Sequence, residues 1–495
     1  MNWVVKKIHI IIFPLCVSFM VCLLYRNLLG AEMPESEELK GLTHKDTYWF
    51  DMYAGPKKIG FANITIEKTG NEIIITDVRE RKIQKEGREK ILVESMKCIS
   101  DLHYAVKSFE FSSSFRDEKG TRTIGNVDAQ EINFAIESPD GRRTFTTPTH
   151  GKDFSLLAMI MPKLAEKGRS PGTVFSVPIL DFKDLTIRDT QVTVEEIRPL
   201  KVGLDIKSLY KFKAGNTAWW TNENGIIIKE ENPAGFTLYS QVEKIAKIPS
   251  DRVLFDHTTL PFIKSDKLLG NPEELNRLKI KIHGFTFGKE LYANSSITLE
   301  DNILTIQKED EEALKNKTYR LPYTGGNLDR HLSSDEWASS DYKPLHDTGT
   351  IYAKSNQYDA ILFAEYLTGY LYNLVRTRPL FILQSAKDFL ASLTGDYLER
   401  TVMFASYARA AGLPTRLVGG LIYDQGYFHF HTWPEIWLNK WVPVDPTFFQ
   451  FPADVSHIPL KEGTLKDIIS VVDELNAIRV EVLATDPARI QQPPQ

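Results

Sequence analysis

The chain has 495 residues, of which 42% are hydrophobic and 25% are charged, and its formal net charge is −5 at pH 7. This length exceeds one ordinary domain and predicts two or three, and the composition is typical of globular proteins. No basic patch with interleaved aromatic residues is present, which argues against nucleic-acid binding, and three cysteines are too few for a disulfide framework.

An apolar segment lies at the start of the chain. Residues 8–25 carry no charged side chain, and Lys6 and Lys7 precede them. This run suits a secretory signal peptide or a single membrane anchor with its short end in the cytoplasm, and a third interpretation is a buried helix. The first two predict export, with residues 1–31 as a signal peptide or transmembrane helix. We therefore expect a protein that is periplasmic, or membrane-anchored and facing outside the cytoplasm.

A β-rich domain is predicted over residues 46–250, after a polar linker at residues 32–45. Apolar and polar residues alternate through most of this region, as in strands with one buried face. Turn signals such as Pro139-Asp140-Gly141 separate the strands. One amphipathic helix, at residues 154–166, interrupts the pattern. Many strands with a single helix predict an open, strongly curved antiparallel sheet.

The second half of the chain mixes helices and strands, which predicts the α+β class. Residues 251–314 are expected to be a connector with leading strands, and residues 486–495 a disordered tail. Between them a second domain is predicted over residues 315–485. The strands predicted in this half lie at 278–282, 296–299, 303–307, 415–423, 427–438, 441–444 and 478–483, and the helices at 357–376, 385–393, 397–411 and 465–475.

Two blocks of the second domain carry residues suited to catalysis. TGDYLERTVMFASYARAAGLPTRLVGG begins at Thr394, and HFHTWPEIWLNKWVPVDPT begins at His429. In the first block, Asp396 is the predicted N-cap of a helix, and Glu399 is the acidic residue expected three positions later. That helix is expected to end at Gly412, just before a proline.

The second block places a histidine and a carboxylate on neighbouring strands. His431 is expected beside the start of the helix, and Asp445 at the end of the partner strand. We expect the Nδ1–H of His431 to donate to Asp445, which leaves Nε2 free to face position 397.

These blocks resemble the core of the transglutaminase-like superfamily, which is related to papain. The elements that carry the resemblance are GD-x-x-E, ARAAGLPTR, His-x-Trp and DPT. The resemblance implies a domain of papain-like topology in which His431 is the base and Asp445 orients it. It also implies a nucleophilic cysteine at the helix start, where this chain has Tyr397. More weakly, residues 46–250 are similar to β-rich modules that precede such domains in exported bacterial proteins.

Tyrosine is a poor substitute for the expected thiol. A phenol ionises near pH ~10 and a thiol near ~8.5, and phenolate is the weaker nucleophile toward amides. We therefore expect a catalytically silent protein whose cleft binds a peptide or protein segment, or a peptidoglycan-type amide, without a cofactor. The residues expected to line this cleft are Asp396, Glu399, His429 and Trp433.

Several alternatives stay open at this stage. The domain could be an active acyltransferase or amide hydrolase, or the protein could be a non-catalytic envelope scaffold that acts through its β module. Thr401 and Cys98 are candidate replacement nucleophiles, although core packing explains each of them better. His429, His431 and Asp445 could hold a metal with one further ligand, but a cleft-lining role for His429 is preferred. Trp433 either flanks the site or packs in the core.

Overall fold

The computed structural model describes residues 44–102, 105–128, 130–152, 154, 168–181, 185–223, 226–248 and 252–487. The predicted leader at residues 1–31 lies outside this range, as do nearly all of the predicted helix at residues 154–166 and most of the predicted tail. Within the described range, no helix has the length and apolar character needed to cross a membrane.

The chain divides into two compact units. The N-terminal unit comprises Met1–Leu200 and Ile206–Val253, and the C-terminal unit comprises Lys201–Asp205 and Leu254–Gln495. The short segment Lys201–Asp205 thus belongs with the second unit although it lies within the first half of the sequence.

The N-terminal unit is built on one antiparallel sheet, as the alternating pattern predicts. Its 14 strands follow the order β8-β7-β6-β5-β4-β3-β2-β1-β14-β13-β12-β11-β10-β9. The strands are β1 His44–Ala54, β2 Lys57–Thr69, β3 Glu72–Lys85, β4 Arg88–Asp101, β5 Val106–Phe115, β6 Thr121–Val127, β7 Glu131–Ser138, β8 Gly141–Pro148, β9 Val174–Asp181, β10 Thr186–Val202, β11 Asp205–Ala214, β12 Thr217–Thr221, β13 Ile227–Asn232 and β14 Phe236–Gln241. A short helix, α1 Glu243–Ala246, follows the last of these strands.

The sheet is strongly curved, and a single side-chain contact shows it. Arg79 on β3 and Glu230 on β13 are four strand steps apart in the sheet order, which is about 19 Å along the surface. Their side chains nevertheless approach to 3.5 Å. The predicted curvature is therefore confirmed, and the concave face carries the buried residues of the unit.

That concave face is apolar in one part and ionic in another. Along β3, Ile73 and Ile75 are buried in the apolar core, whereas Asp77 and Arg79 are buried as an ion pair. All four point to the same face because successive strand residues alternate. An unpaired buried charge would be costly, so these polar residues must neutralise each other inside the sheet.

The C-terminal unit mixes helices with small sheets. Its sheets have the orders β15-β22-β21-β24, with β23 on β22, then β17-β18-β16-β25, and β19-β20. The strands are β15 Phe262–Lys264, β16 Arg277–His283, β17 Ile297–Glu300, β18 Ile303–Gln307, β19 Arg376–Thr377, β20 Thr394–Gly395, β21 Thr415–Asp424, β22 Tyr427–Trp437, β23 Trp441–Pro443, β24 Ile458–Gly463 and β25 Arg479–Asp486. The α-helices are α2 Glu311–Lys315, α3 Lys343–Ser355, α4 Ala360–Leu374, α5 Ala386–Phe389, α6 Tyr397–Ala410 and α7 Leu465–Ile469, and 3₁₀ turns lie at His257–Thr259, Pro272–Glu274, Lys289–Tyr292, Asp329–His331 and Ser470–Ala477.

Most predicted elements of this unit are present, with some differences in length. The helix predicted at residues 465–475 is α7 followed by a 3₁₀ segment, and the helix predicted at residues 357–376 is shortened to α4. The sequence analysis missed α2, α3, β15, β19, β20 and β24. The start of β25 agrees to within one residue, but this strand extends to Asp486, inside the predicted tail.

Helix α6 is the central element of the C-terminal unit. Nearly every one of its residues is buried, including Arg400 and Arg409, as expected for a helix packed on all sides. It ends before Gly412, which has φ +81° and approaches Pro322 so closely that a Cβ would lie 2.3 Å from the Pro322 Cβ. Only glycine fits this position without strain.

Candidate functional site

The first turn of α6 forms one side of the candidate site. Asp396 occupies the N-cap position, as predicted. The Glu399 carboxylate accepts a hydrogen bond of 2.8 Å from the Asp396 N–H. The Asp396 carboxylate accepts from the backbone N–H of Gly203 at 3.0 and 3.2 Å, within the same unit. Burial raises the pKa of both carboxyls, that of Glu399 to about 7.

Tyr397, in the position expected for a cysteine, is enclosed rather than exposed. Its exposed fraction is 1%, and its ring centroid lies 5.0 Å from that of His431. Its hydroxyl does not contact that histidine and instead lies 3.4 Å from Nδ1 of His257. Burial and the nearby charges of Asp396 and Glu399 raise the pKa of the phenol well above its ordinary value. The residue is therefore a neutral phenol at physiological pH.

His257, as a neutral imidazole, accepts a hydrogen bond from the phenol hydroxyl. Its Nε2 lies 2.9 Å from the carbonyl oxygen of Leu380, so Nε2 carries the hydrogen and Nδ1 is the acceptor. Burial lowers the pKa of His257 to about 4, against smaller opposing effects from Leu380 and Asp256. The sequence analysis missed this residue because it lies 140 positions from Tyr397, in a 3₁₀ turn that matches no motif.

His431 and Asp445 meet as predicted, but through the other ring nitrogen. Nε2 of His431 lies 2.7 Å from Oδ2 of Asp445, so the expectation that Nδ1 makes this contact is wrong. The N–H groups of Thr447 and Phe448 donate to Oδ1 at 2.6 and 3.4 Å and hold the carboxylate in the turn after β23. These two bonds fix the Asp445 carboxylate within hydrogen-bonding distance of Nε2 of His431.

Nδ1 of His431 has no hydrogen-bond partner among the residues that the structure describes. Burial lowers the pKa of His431, and Asp445 opposes this effect only in part. A neutral ring that donates through Nε2 leaves a lone pair on Nδ1. The residue thus keeps the electronic form of a general base, although its exposed fraction is 0%.

His457 is a third member of this cluster. Its Nε2 lies 2.9 Å from the same oxygen of Asp445, and its Nδ1 lies 3.4 Å from Oδ1 of Asp454. Burial opposes a charge on this ring, but the two carboxylates outweigh burial and raise the pKa of His457 to about 10. Burial also opposes the charge on Asp445, and the two histidines together hold its pKa below the ordinary range. One imidazolium therefore lies between two carboxylates, Asp445 and Asp454, beside neutral His431.

The residues that could hold a metal differ from the predicted set, because His457 takes the place of His429. Ligand atoms of His431, Asp445 and His457 all lie within 4.8 Å of one another. His429 instead lies against Phe262, with ring centroids 5.3 Å apart. Three protein ligands suit an open zinc site. However, both histidines already bond the carboxylate directly, which explains the cluster without a metal.

The predicted cleft residues are all buried. Asp396, Glu399, His429 and Trp433 are each exposed by no more than 2%, so they do not form an open wall. Burial and the charge of Lys201 lower the pKa of His429 well below its ordinary value. Both interpretations of Trp433 hold, since it is packed in the core and its ring lies 6.3 Å from that of His431. Whether these residues bind a ligand stays a prediction.

Neither candidate replacement nucleophile is placed for chemistry. The Thr401 hydroxyl lies 2.8 Å from the carbonyl oxygen of Tyr397 and 2.9 Å from that of Thr432, so its contacts explain it as a core residue. Cys98 lies on β4 in the N-terminal unit, where burial raises the pKa of its thiol to about 12.

Comparisons with known proteins agree with the motifs. Residues 353–446 match the Transglutaminase-like superfamily, a range that includes Tyr397, His431 and Asp445. The resemblance seen in the sequence is thereby confirmed for this region. No curated protein matches the chain in sequence.

Two solved structures are similar to parts of the chain. One is a candidate cysteine protease from Cytophaga hutchinsonii, with 11% identity, a TM-score of 0.25 and coverage of 43% of this chain and 87% of its own. The other is a beta-barrel-like protein, a domain of unknown function from Brucella abortus, with 11% identity, a TM-score of 0.30 and coverage of 41% and 96%. Scores this low do not bear on function.

Proposed function

Given a transglutaminase-like region at residues 353–446, we propose that this is an exported, catalytically silent protein of that type. Its C-terminal unit has a papain-like arrangement and binds a peptide segment, or an amide-bearing envelope component such as peptidoglycan. It does not turn that ligand over. Export is inferred from the apolar segment at residues 8–25 and its preceding lysines.

One observation carries the proposal of silence. Acyl transfer requires a nucleophile whose proton passes to the base. Here the Tyr397 hydroxyl lies on His257 at 3.4 Å, while the Nδ1 atom of His431 has no partner within the described residues. The base and the hydroxyl are thus not connected. The raised pKa of the phenol adds a second obstacle, because the neutral phenol is not a nucleophile.

The ligand class rests on the family resemblance and on what the site retains. Transglutaminase-like enzymes act on amides, and this chain keeps the His431–Asp445 pair at 2.7 Å. Both residues are buried, so a ligand can reach them only after covering residues move.

The test compares the full-length wild-type chain with Tyr397→Cys and Tyr397→Ala. Incorporation of a fluorescent amine into a glutamine-containing protein and cleavage of a peptide amide are measured for each. We expect no turnover by wild type or by Tyr397→Ala. The alanine variant is the matched control, because it opens the same space without adding a nucleophile.

The outcomes separate the parts of the proposal. Turnover by wild type, or a covalent acyl adduct trapped on it, would refute silence. Activity in the cysteine variant alone would show that the His431–Asp445 relay remains competent. Binding is measured separately, by fluorescence anisotropy of wild type with labelled peptides and labelled peptidoglycan fragments. Failure to bind either ligand would refute the proposal that the C-terminal unit binds a peptide or a peptidoglycan component.

A further inference from the structure

A cavity of about 450 Å³ lies in the N-terminal unit. Its walls come from β2, β3 and β4, from the end of β5 and from the residues that follow α1. This volume is within the range of small-molecule binding pockets in proteins. The motifs of the C-terminal unit do not involve this cavity, and the proposed function does not use it.

A β-bulge shapes one wall of this cavity. In the pairing of β1 with β2, Met52 is opposite Gly60 and Tyr53 is opposite Lys58, so Ile59 has no partner. An extra residue of this kind bends a strand and redirects its side chains. Lys58, Ile59 and Gly60 all line the cavity. The bulge thus brings a lysine and an apolar side chain to the same wall.

The charged lining of the cavity is almost entirely cationic. Glu80 is its single acidic residue among those that the structure describes. The lining cations are Lys57, Lys58, Arg81, Lys82, Arg116 and Lys247. A concave site with one sign of charge concentrates ligands of the opposite sign.

Two of these cations are buried at the cavity wall, with exposed fractions of 9% for Lys58 and 8% for Arg81. Their partner carboxylates, Asp51 and Glu94, do not line the cavity. Burial lowers the pKa of both cations, and the partner carboxylates restore it only in part. Lys58 also donates to the carbonyl oxygens of Ala246 and Ile248, at 2.9 and 3.1 Å, so it adds positive charge to the wall of the cavity and not a free donor.

The rim lysines supply accessible charge. Lys57 is exposed and forms no ion pair within the described residues. Lys82 is also exposed, and its pair with Glu89 at 3.1 Å is held by two largely exposed side chains. Exposed pairs of this kind are worth little, so Lys82 can exchange Glu89 for a ligand anion at small cost.

The remaining lining is apolar. Ile59, Phe61 and Ile91 are half-buried there, and Ile248 is 38% exposed. These side chains would lose contact with water if an apolar group occupied the cavity, and this burial favours binding. The cavity therefore offers surface to an apolar group and charge to an anion in one place.

We propose that this cavity binds an anionic amphiphile, in which a carboxylate or phosphate head is joined to an apolar tail. The head contacts the rim lysines in the field of Lys58 and Arg81, and the tail lies against Ile59, Phe61 and Ile248. This inference does not depend on the C-terminal unit, so it can stand or fall independently of the proposed function.

The first experiment measures binding to the full-length chain by calorimetry with four probes. Laurate and dodecyl phosphate carry head and tail, dodecanol carries the tail alone, and inorganic phosphate carries the head alone. We expect the two amphiphiles to bind at least tenfold more tightly than either part. Tighter binding of laurate would indicate a fatty-acid head, and tighter binding of dodecyl phosphate would indicate a phospholipid-type head. Equal binding of dodecanol, or of inorganic phosphate, would overturn the proposal.

The second experiment uses charge reversal at the rim. The double variant Lys57→Glu/Lys82→Glu is expected to bind the better amphiphile at least tenfold more weakly, because both positions then repel the head. The matched control is Lys119→Glu, an exposed lysine in the turn after β5 that does not line the cavity. Circular dichroism checks that both variants are folded. Unchanged affinity in the folded double variant would contradict the proposal.

Discussion

Each unit buries a cluster of charged side chains, and the two clusters balance their charge with different cations. In the N-terminal unit, Arg79 contacts Asp77 at 2.9 Å and Glu230 at 3.5 Å. In the C-terminal unit, Asp445 instead contacts two imidazoles. An arginine keeps its charge at every pH a protein meets, whereas a histidine exchanges its proton near neutrality. The first arrangement fixes structure, and the second holds the kind of group that proton transfer uses.

The titration of the two clusters differs accordingly. Burial opposes the charge of Arg79, but Asp77 and Glu230 hold its pKa above the ordinary value. Titration in that cluster falls on a carboxyl, since burial raises the pKa of Glu94 to about 7. In the C-terminal cluster the titrating group is His457, whose pKa is raised to about 10. The two clusters therefore bind and release protons on different groups, a carboxyl in one and an imidazole in the other.

The largest expected effect comes from breaking the arginine cluster. Arg79→Met leaves the Asp77 and Glu230 carboxylates without their shared cation inside the sheet, which costs about 3–5 kcal/mol of unfolding free energy. The control is Arg122→Met, which breaks an exposed pair with Glu110 and should leave the stability almost unchanged. Urea unfolding followed by circular dichroism measures both. Equal losses would remove the distinction between buried and exposed charge in this unit.

A smaller loss is expected when the carboxylate of the histidine cluster is removed. Asp445→Asn weakens the hydrogen bonds to His431 and His457 and removes the charge that sustains the imidazolium. The expected loss is about 2–3 kcal/mol, together with a lower pKa of His457 in an NMR titration. Asp347→Asn, in an exposed pair with Lys343, is the control. An unchanged His457 titration would show that Asp445 is not its main partner.

The fold could be predicted where the pattern of apolar and polar side chains along the sequence shows directly which residues are buried. The alternation in the first half gave the antiparallel sheet, and the motif near Thr394 gave α6 and the two strands after it. Helix α3 was missed because its buried residues are Leu345, Gly349 and Ala353, and two of these are too small to mark an apolar stripe. Short edge strands such as β15, of three residues, carry too few positions to show a period.

The site could be predicted only as far as its motifs extend. The motifs brought His431, Asp445 and the first turn of α6 together, because the chain keeps the spacing of an active domain. They could not reveal His257 or His457, whose contacts depend on tertiary packing between segments without a shared pattern. The choice of ring nitrogen on His431 was also beyond them, since it depends on where two backbone amides hold Asp445.

The pH dependence of stability sharpens the contrast between the clusters. The pKa of His457 is about 10 in the folded protein and near 6.5 when unfolded. A raised pKa means that its contribution is complete below pH 6.5 and is lost as pH rises toward 10. We expect the stability difference between wild type and His457→Asn to shrink by about 2–3 kcal/mol from pH 7 to pH 9.

Glu94 allows the same measurement in the N-terminal unit. Its pKa of about 7 is also raised, from 4.5, so its contribution is lost between pH 4.5 and 7. The difference between wild type and Glu94→Gln should therefore change below neutrality, and that for His457→Asn above it. Urea titrations at several pH values measure both. Changes over the same pH range would contradict the assignment of separate titrating groups.

The smallest expected effect tests whether Tyr397 belongs to either kind of cluster. Its hydroxyl is bonded only to neutral His257, at 3.4 Å, which is long for a strong hydrogen bond. Tyr397→Phe should thus cost about 0.5–1 kcal/mol, with no change in the His457 titration. Tyr427→Phe, at a partly exposed position on β22, is the control. A loss above about 2 kcal/mol would mean that the phenol bonds a charged group. A simultaneous shift of the His457 titration would place that group in the histidine cluster, whereas an unchanged titration would point to Asp396 or Glu399, whose charges act on the phenol.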